Sequence, residues 1–369
     1  MIAASGGEGH LGPLLPFAVA AVEQGDEVLV VVPPEQADTV DGLGLPRRLT
    51  TGVDPATLAR LRAAMATADP ATRTRLAEVE LFGRLCTAAA LPGTTDAVAR
   101  FRPDLVLREP CDYASALAAF GAGIPTAQVA VSPGRADLTG LRLASEVVEP
   151  LAPGVTAAVE RAPYLTRFPE HDAGFDDVRP YGAVPAPLPR PATDRPLVWL
   201  TLGTVNPAFE AAGGTWEAAL AALGGLPVDV VASVGRGGAR PAAPPNVRVV
   251  DWVPAEEVLA RAALVVCHGG SGTTQAALAA GVPLVVVPML ADQPANAAMV
   301  QRLGAGLTVA PDSGPALGGL KADDVPRLRV AVERVLGDPA FAAAAGAAAA
   351  GVATRPSPAD RLAELRSGA

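Results

Sequence analysis

The sequence predicts an α/β protein built as two halves in series, each a parallel sheet with crossover helices. Three observations carry that reading. Short apolar runs rich in β-branched residues, such as Glu27–Val32, Leu105–Leu107, Leu264–Cys267 and Leu284–Val287, alternate with alanine-rich stretches of helical length, and strand–helix alternation implies parallel pairing. The chain has 369 residues, half of them hydrophobic, which is enough for two domain cores. Between Phe168 and Pro196 seven prolines interrupt the alternation, at positions 169, 180, 185, 187, 189, 191 and 196, a composition expected of a linker. The predicted boundaries are a first domain over 1–180, a linker over 181–196, a second domain over 197–354, and a terminal helical segment over 355–369 that packs back on the first domain.

Composition narrows the function classes. The formal net charge is −9, which argues against a nucleic-acid partner. No run of about 18 apolar residues occurs, so no membrane span is expected. The start lacks a basic region followed by a long apolar one, so no signal peptide is expected. Cys86, Cys111 and Cys267 have neither disulfide nor metal spacing, which fits a reducing cytoplasm and predicts no bound metal.

In the first half, Ile2-Ala3-Ala4 reads as the tail of a strand and Ser5–Gly12 as the loop after it. Leu14–Gln24 reads as a helix, its prolines 13 and 16 confined to the first turn, and Gly25 ends it before the strand Glu27–Val32. Gly7-x-Gly9-x-x-Gly12, with Glu35 beyond the next strand, matches the dinucleotide fingerprint and keeps an NAD-dependent oxidoreductase open. Against it stand a histidine inside the fingerprint and a helix that opens with Pro13-x-x-Pro16. Val40–Arg75 is irregular, with a helix near Pro55–Ala66. Ala71–Ala90 reads as a longer helix capped by Asp69 with Pro70 at its first position. Leu105–Leu107 is a core strand with Glu109 at its end, followed by a helix over Tyr113–Phe120 and a strand over Thr126–Val131. No element is predicted between Pro133 and Ala152.

The second half opens with the strand Leu197–Leu200. A helix over Thr215–Leu223 and strands over Val228–Ala232 and Val247–Val250 follow. Asp251-Trp252-Val253-Pro254 and a short helix, Ala255–Ala262, lead to the most informative stretch, Leu264–Gln293. There a strand runs into His268-Gly269-Gly270-Ser271-Gly272, then a helix over Thr273–Ala280 closed by Gly281, then the strand Leu284–Val287, then Asp292-Gln293. Glycines at a strand-to-helix turn let backbone N–H groups approach an anion, and the helix dipole favours it. A carboxylate and an amide at the carboxyl edge of the same sheet could hold a polyol or sugar. Helices over Ala295–Leu303, Val325–Leu336, Ala340–Ala353 and Ala359–Arg366 and a strand over Gly306–Val309 complete the reading.

Gly9-His10-x-x-Pro13-Leu14-Leu15-Pro16, Asp251-Trp252-Val253-Pro254, and His268-Gly269-Gly270-x-Gly272-Thr273 through Gly281-Val282-Pro283 to Asp292-Gln293 together resemble the GT-B glycosyltransferases of family 1. The likeness is greatest to bacterial enzymes that decorate polyketides and other natural products. It covers nearly the whole chain and keeps the motif order. It implies two Rossmann-like domains facing across a cleft, with a nucleotide sugar in the second, a hydroxylated acceptor in the first, and transfer with inversion. Carried onto this sequence, Trp252 would stack on the base and Val253 would meet its edge. His268 and the N–H groups of Gly270, Ser271, Gly272 and Thr273 would hold the diphosphate, Thr204 would add a hydroxyl, and Asp292 and Gln293 would bind sugar hydroxyls. His10 would be the general base.

The residue types suit that chemistry. Fixed N–H donors stabilise a leaving diphosphate without a mandatory metal. An alcohol is a poor nucleophile, so a neutral imidazole must take its proton, and a carboxylate behind the imidazole fixes its tautomer. Glu109 is the candidate carboxylate, at a position where many relatives carry aspartate, and Asp112 is its rival. Of the three histidines, 10 and 268 fall inside the motifs, while His171 lies in the linker. Trp199 and Trp216 are expected to pack. Plant relatives grip the ribose hydroxyls with a glutamate eight residues after the motif histidine. Here Ala276 stands there, beside Gln275, which favours a deoxyribose and hence a dTDP-sugar over a UDP-sugar. A non-catalytic sugar-nucleotide binder and a nonhydrolysing sugar-nucleotide epimerase remain alternatives. The acceptor, the exact sugar and the choice between monomer and homodimer are not legible.

Overall fold

The computed structural model describes residues 1–169, 174–182, 195–203, 210–235, 240–310 and 319–368. Two compact units divide the chain: Met1–Ala183 with Arg355–Ala369, and Val184–Thr354. Among the described residues no single helix is long and apolar enough to cross a membrane; one pair bent by 72°, Ala322–Gly337 with Pro339–Ala353, passes on length and composition together.

The first unit holds seven strands: β1 (Ile2–Ala3), β2 (Val30–Val32), β3 (Arg47–Leu49), β4 (Val106–Arg108), β5 (Thr126–Val129), β6 (Tyr164–Thr166) and β7 (Val178–Pro180). All pair in parallel, in the order β3-β2-β1-β4-β5-β6-β7. The order reverses at β1, which lies between β2 and β4. Ala3 pairs with Arg108, so the chain leaves β1 and β4 side by side at the carboxyl edge. That is the switch point where open α/β sheets place ligands.

Strands β3, β6 and β7 were not expected from the sequence, and β7 lies inside the proline-rich stretch read as linker composition. Proline is tolerated there because β7 is an edge strand and Pro180 is its last residue. The stretch Pro133–Ala152, left without an element, contains the helix Gly134–Val148, whose buried Leu138, Leu141, Ala144 and Val148 recur at helical spacing. Asp69 caps the long helix as expected, its Oδ1 accepting from the N–H groups of Ala71 at 3.0 Å and Thr72 at 3.1 Å. Helical winding continues from Pro70 to Phe101, with a π-wound segment over Leu76–Cys86. Such winding recurs at functional sites.

The terminal helix Pro358–Ser367 belongs to the first unit. Leu362 is buried in the cluster containing Leu11, Leu14 and Phe17, and Arg361 donates to the Pro180 carbonyl.

The second unit has six parallel strands: β8 (Leu197–Thr201), β9 (Asp229–Ser233), β10 (Val247–Val250), β11 (Ala262–Cys267), β12 (Leu284–Val286) and β13 (Gly306–Thr308). Their order is β10-β9-β8-β11-β12-β13. The reversal again falls at the first strand. Thr201 pairs with Cys267, so Gly203 and His268 emerge next to each other. Val198, Leu200, Leu264, Val266 and Val285 fill one sheet face, against Leu220, Leu223, Leu328 and Val332 from the helices.

Candidate active site

In the first unit, Gly7 precedes the short helix Glu8–Leu11 with φ of 84°, a left-handed conformation that glycine adopts freely. The turn presents His10, whose side chain is 23% exposed, to Glu109, which is fully buried. His10 Nδ1 lies 3.1 Å from Glu109 Oε2. The distance is that of a hydrogen-bonded ion pair, although the ring N–H is not aimed straight at the oxygen. Ser5 donates to Glu109 Oε1 from its N–H at 3.1 Å and its hydroxyl at 2.5 Å, and the Cys111 N–H donates to Oε2 at 2.6 Å. Arg108, also fully buried, braces the loop behind: it donates to the carbonyls of Pro110 and Asp112 and to Gln128 Oε1.

Burial works against charge on both members of the pair, and their mutual attraction outweighs it. The Glu109 pKa is held down at about 2 by His10, Ser5 and the Cys111 N–H. The His10 pKa is raised above 6.5, chiefly by Glu109, with Asp137 and Glu78 adding. Asp112 is otherwise engaged. It caps the helix Tyr113–Ala122, its Oδ1 accepting from the Ser115 N–H at 3.2 Å, and burial pushes its pKa up to about 6. The partner of His10 is therefore Glu109 rather than Asp112. Phe82 lies against the imidazole with ring centroids 5.2 Å apart.

Three groups here, His10, Glu109 and Cys111, offer ligand atoms all within 4.8 Å of one another. Burial holds the Cys111 thiol well above its ordinary pKa, and the carboxylate already accepts from Ser5 and Cys111.

In the second unit, β11 runs into His268 and the helix Ser271–Ala279. The glycines do more than free the backbone near an anion. A Cβ at Gly270 would stand 2.4 Å from His268 Nε2, and one at Gly203 would stand 2.6 Å from His268 Cε1. The ring is thus sandwiched between two main-chain segments that side chains would push apart. Burial lowers the His268 pKa to about 4, opposed by the Thr201 backbone, so the imidazole is neutral at pH 7. The helical ladder begins with the Thr274 N–H, which donates to the Gly270 carbonyl at 3.0 Å. The amides of Gly272 and Thr273, in the first turn, have no intrahelical acceptor.

Other expected donor residues fall less simply. Ser271 turns its hydroxyl to Asp292 Oδ2 at 2.5 Å, and its amide also supports that carboxylate. The Ser271 hydroxyl is therefore engaged with Asp292 inside the protein. Gln293 is buried, its Oε1 accepting from the N–H groups of Met289 at 2.8 Å and Leu290 at 3.0 Å. Its oxygen thus braces a loop, and only its amide nitrogen is left to donate. Trp252 follows the edge strand β10 and is 51% exposed, with Val253 half-buried beside it. Thr204 and His171 lie outside the described residues. Trp199 and Trp216 are buried as expected.

Sequence reasoning missed Asn296. It is fully buried, and its side-chain nitrogen donates to the Gly269 carbonyl at 2.9 Å, Ser271 Oγ at 3.0 Å and Asp292 Oδ2 at 2.8 Å. One amide thus ties the glycine turn to the Asp292 carboxylate. Its position four residues after Asp292, one helical turn away, was the available signal.

Comparison with known proteins gives the family. Residues 217–366 match the family described as Erythromycin biosynthesis protein CIII-like, C-terminal domain. Elloramycin glycosyltransferase ElmGT of Streptomyces olivaceus is 33% identical, the match covering 97% of this chain and 94% of that protein. L-demethylnoviosyl transferase of Streptomyces niveus is 32% identical, covering 96% and 93%. Among solved structures, the glycosyltransferase SnogD from Streptomyces nogalater superposes with a TM-score of 0.73 at 26% identity, covering 99% of this chain and 97% of that one. SsfS6 from Streptomyces sp. SF2575, complexed with thymidine diphosphate, shares the fold with a TM-score of 0.76 at 24% identity, covering 99% and 98%. These matches displace the oxidoreductase, epimerase and non-catalytic alternatives. With the two parallel sheets, they make this chain a GT-B glycosyltransferase of the natural-product, antibiotic-biosynthesis family.

Proposed function

We propose that the enzyme moves a deoxysugar from a dTDP-sugar to a hydroxyl of a small natural product, inverting the anomeric carbon, with His10 as general base. The observation that carries this reading is the imidazole of His10, partly open on one side and backed by the buried Glu109 carboxylate on the other. Nδ1 faces Glu109, so Nε2 takes the proton from the acceptor hydroxyl. The acceptor oxygen bonds to the anomeric carbon as the bond from that carbon to the diphosphate breaks, and the electron pair leaves with the phosphate. Glu109 stabilises the imidazolium formed in that step.

The donor is assigned to the second unit. The amides of Gly270, Gly272 and Thr273 and the neutral ring of His268 would stabilise the departing diphosphate, with Thr204 adding a hydroxyl. Trp252 would stack on the base beside Val253. Asp292, whose Oδ2 is held by Ser271 and Asn296, would present Oδ1 to the sugar, and Gln293 would donate from its nitrogen. No metal is needed in this scheme. Ala276 in place of a ribose-gripping carboxylate supports dTDP over UDP, as does the thymidine diphosphate bound by the relative SsfS6.

Calorimetric titration with dTDP and UDP tests the donor assignment. At least tenfold tighter dTDP binding is expected; tenfold preference for UDP would overturn it.

A further inference from the structure

One polar group beside His10 has no role in the scheme above. Glu78, on the π-wound segment Leu76–Cys86, is partly exposed, but its Oε2 is shielded from solvent and has no hydrogen-bond partner. Buried carboxyl oxygens are seldom left so, because the lost hydration is not replaced. Gly140, on the helix Gly134–Val148, lies so close that a Cβ there would stand 2.6 Å from Glu78 Oε2. Phe82, on the same segment as Glu78, packs on the His10 ring.

The charged groups that face Glu78 are His10, on the turn after β1, and Glu109, after β4. Asp137, on the helix that carries Gly140, acts on His10 from a third side. Burial and the Glu109 charge together raise the Glu78 pKa to about 7, with His10 opposing. Near neutral pH the group is therefore partly protonated, able to accept a hydrogen bond and to donate one.

We propose that Glu78 is an acceptor-recognition residue. Its carboxyl binds a second hydroxyl of the acceptor while the reacting hydroxyl is delivered to His10, and Phe82 forms an apolar wall for the ring that carries both. The site then selects polyhydroxylated ring systems over mono-alcohols of the same shape. The inference rests on assigning the acceptor to the first unit.

The test uses the full-length protein without any donor. Two probes, alizarin (1,2-dihydroxyanthraquinone) and 1-hydroxyanthraquinone, are titrated by their visible absorbance. The wild type is expected to bind alizarin about tenfold more tightly, the scale of one added hydrogen bond. Glu78→Gln, which still hydrogen-bonds, is expected to keep most of that preference, and Glu78→Leu to abolish it. Gly140→Ala, which crowds the carboxyl without removing it, is expected to reduce the preference and supplies a second variant should the leucine substitution fail to fold. A preference unchanged in Glu78→Leu or Gly140→Ala would overturn the proposal. So would equal binding of the two probes by the wild type, or binding of neither. Since no sugar is transferred in this experiment, its failure leaves the transferase reading standing, and failure of dTDP-sugar turnover would leave this result unaffected.

Discussion

Replacing Glu109 by glutamine removes a charge while nearly preserving shape, and the structure gives the expected size of the effect. The Glu109 pKa falls from 4.5 to about 2 on folding. At 1.36 kcal/mol per unit this is roughly 3 kcal/mol in favour of the carboxylate, net of its burial. His10 leads the favourable contributions, ahead of Ser5 and the Cys111 N–H. The substitution withdraws that attraction from the imidazolium and lowers the His10 pKa. In the proposed mechanism the base works in its neutral form, so its raised pKa is expected to make the wild-type enzyme lose activity early as pH falls. The assay is kcat/KM for dTDP-sugar transfer as a function of pH, whose acid limb reports the base in the free enzyme. In Glu109→Gln that limb should move toward lower pH. The maximal rate should fall roughly 10²- to 10³-fold, because the imidazolium formed in the transition state has lost its counter-ion. A normal rate, or an acid limb that stays in place in a folded variant, would refute the pairing of these residues as a catalytic unit.

Four further outcomes follow from the same geometry. Asn296→Ala leaves the Gly269 carbonyl and the Asp292 carboxylate short of a buried donor. It should destabilise the second unit by about 2 kcal/mol, visible as a fall in melting temperature of about 4–8 °C, and raise the KM for donor about tenfold; a melt within 1 °C of wild type would contradict it. Gly270→Ala pushes a methyl into the His268 ring and should weaken dTDP binding at least tenfold in calorimetry, whereas unchanged affinity would show that the ring is free to move. Burial depresses the His268 pKa from 6.5 to about 4. The stability that comes from keeping the ring neutral is therefore present above pH 6.5 and lost as pH falls toward 4, roughly 3 kcal/mol in all. Urea melts at pH 7 and 4.5 should show His268→Gln narrowing that loss, and an identical pH dependence in the two proteins would count against it. Finally, transfer should survive prolonged EDTA treatment, and activity lost to the chelator and restored by a divalent cation would contradict diphosphate stabilisation by backbone amides.

Much of the architecture was legible because parallel strands buried on both faces write themselves as apolar runs, as at Leu264–Cys267. The two key loops could be placed because His10 and His268 each stand just after the first or fourth strand of their half. Glu109 could be found because it follows directly on β4. What could not be read depends on contacts across the sequence. Nothing local says that Gly203 and Gly270 flank one imidazole, since they lie 67 positions apart. Ser271 and Gln293 carry hydrogen-bonding groups suited to a ligand, yet both are turned toward their own protein by Asp292 and the 289–290 backbone. Strands β3 (Arg-Arg-Leu) and β7 (Val-Arg-Pro) lie at the sheet edges and carry arginine, and β6 (Tyr-Leu-Thr) sits between Pro163 and Arg167, so none of them shows the β-branched apolar run that marked the central strands. The helix Gly134–Val148 was hidden by Gly134, Asp137 and Gly140, which interrupt its apolar stripe. Two of these, Asp137 and Gly140, lie around His10 and Glu78, where local propensity gives way to the needs of a site.

The most direct test of the account is single-turnover transfer from a dTDP-sugar to a hydroxylated aromatic acceptor by the wild type and His10→Ala, with the product anomer read by proton NMR. The account expects a product of inverted configuration from the wild type and a rate at least 10²-fold lower in the variant. Retained configuration, or turnover by His10→Ala within a few-fold of wild type, would contradict it.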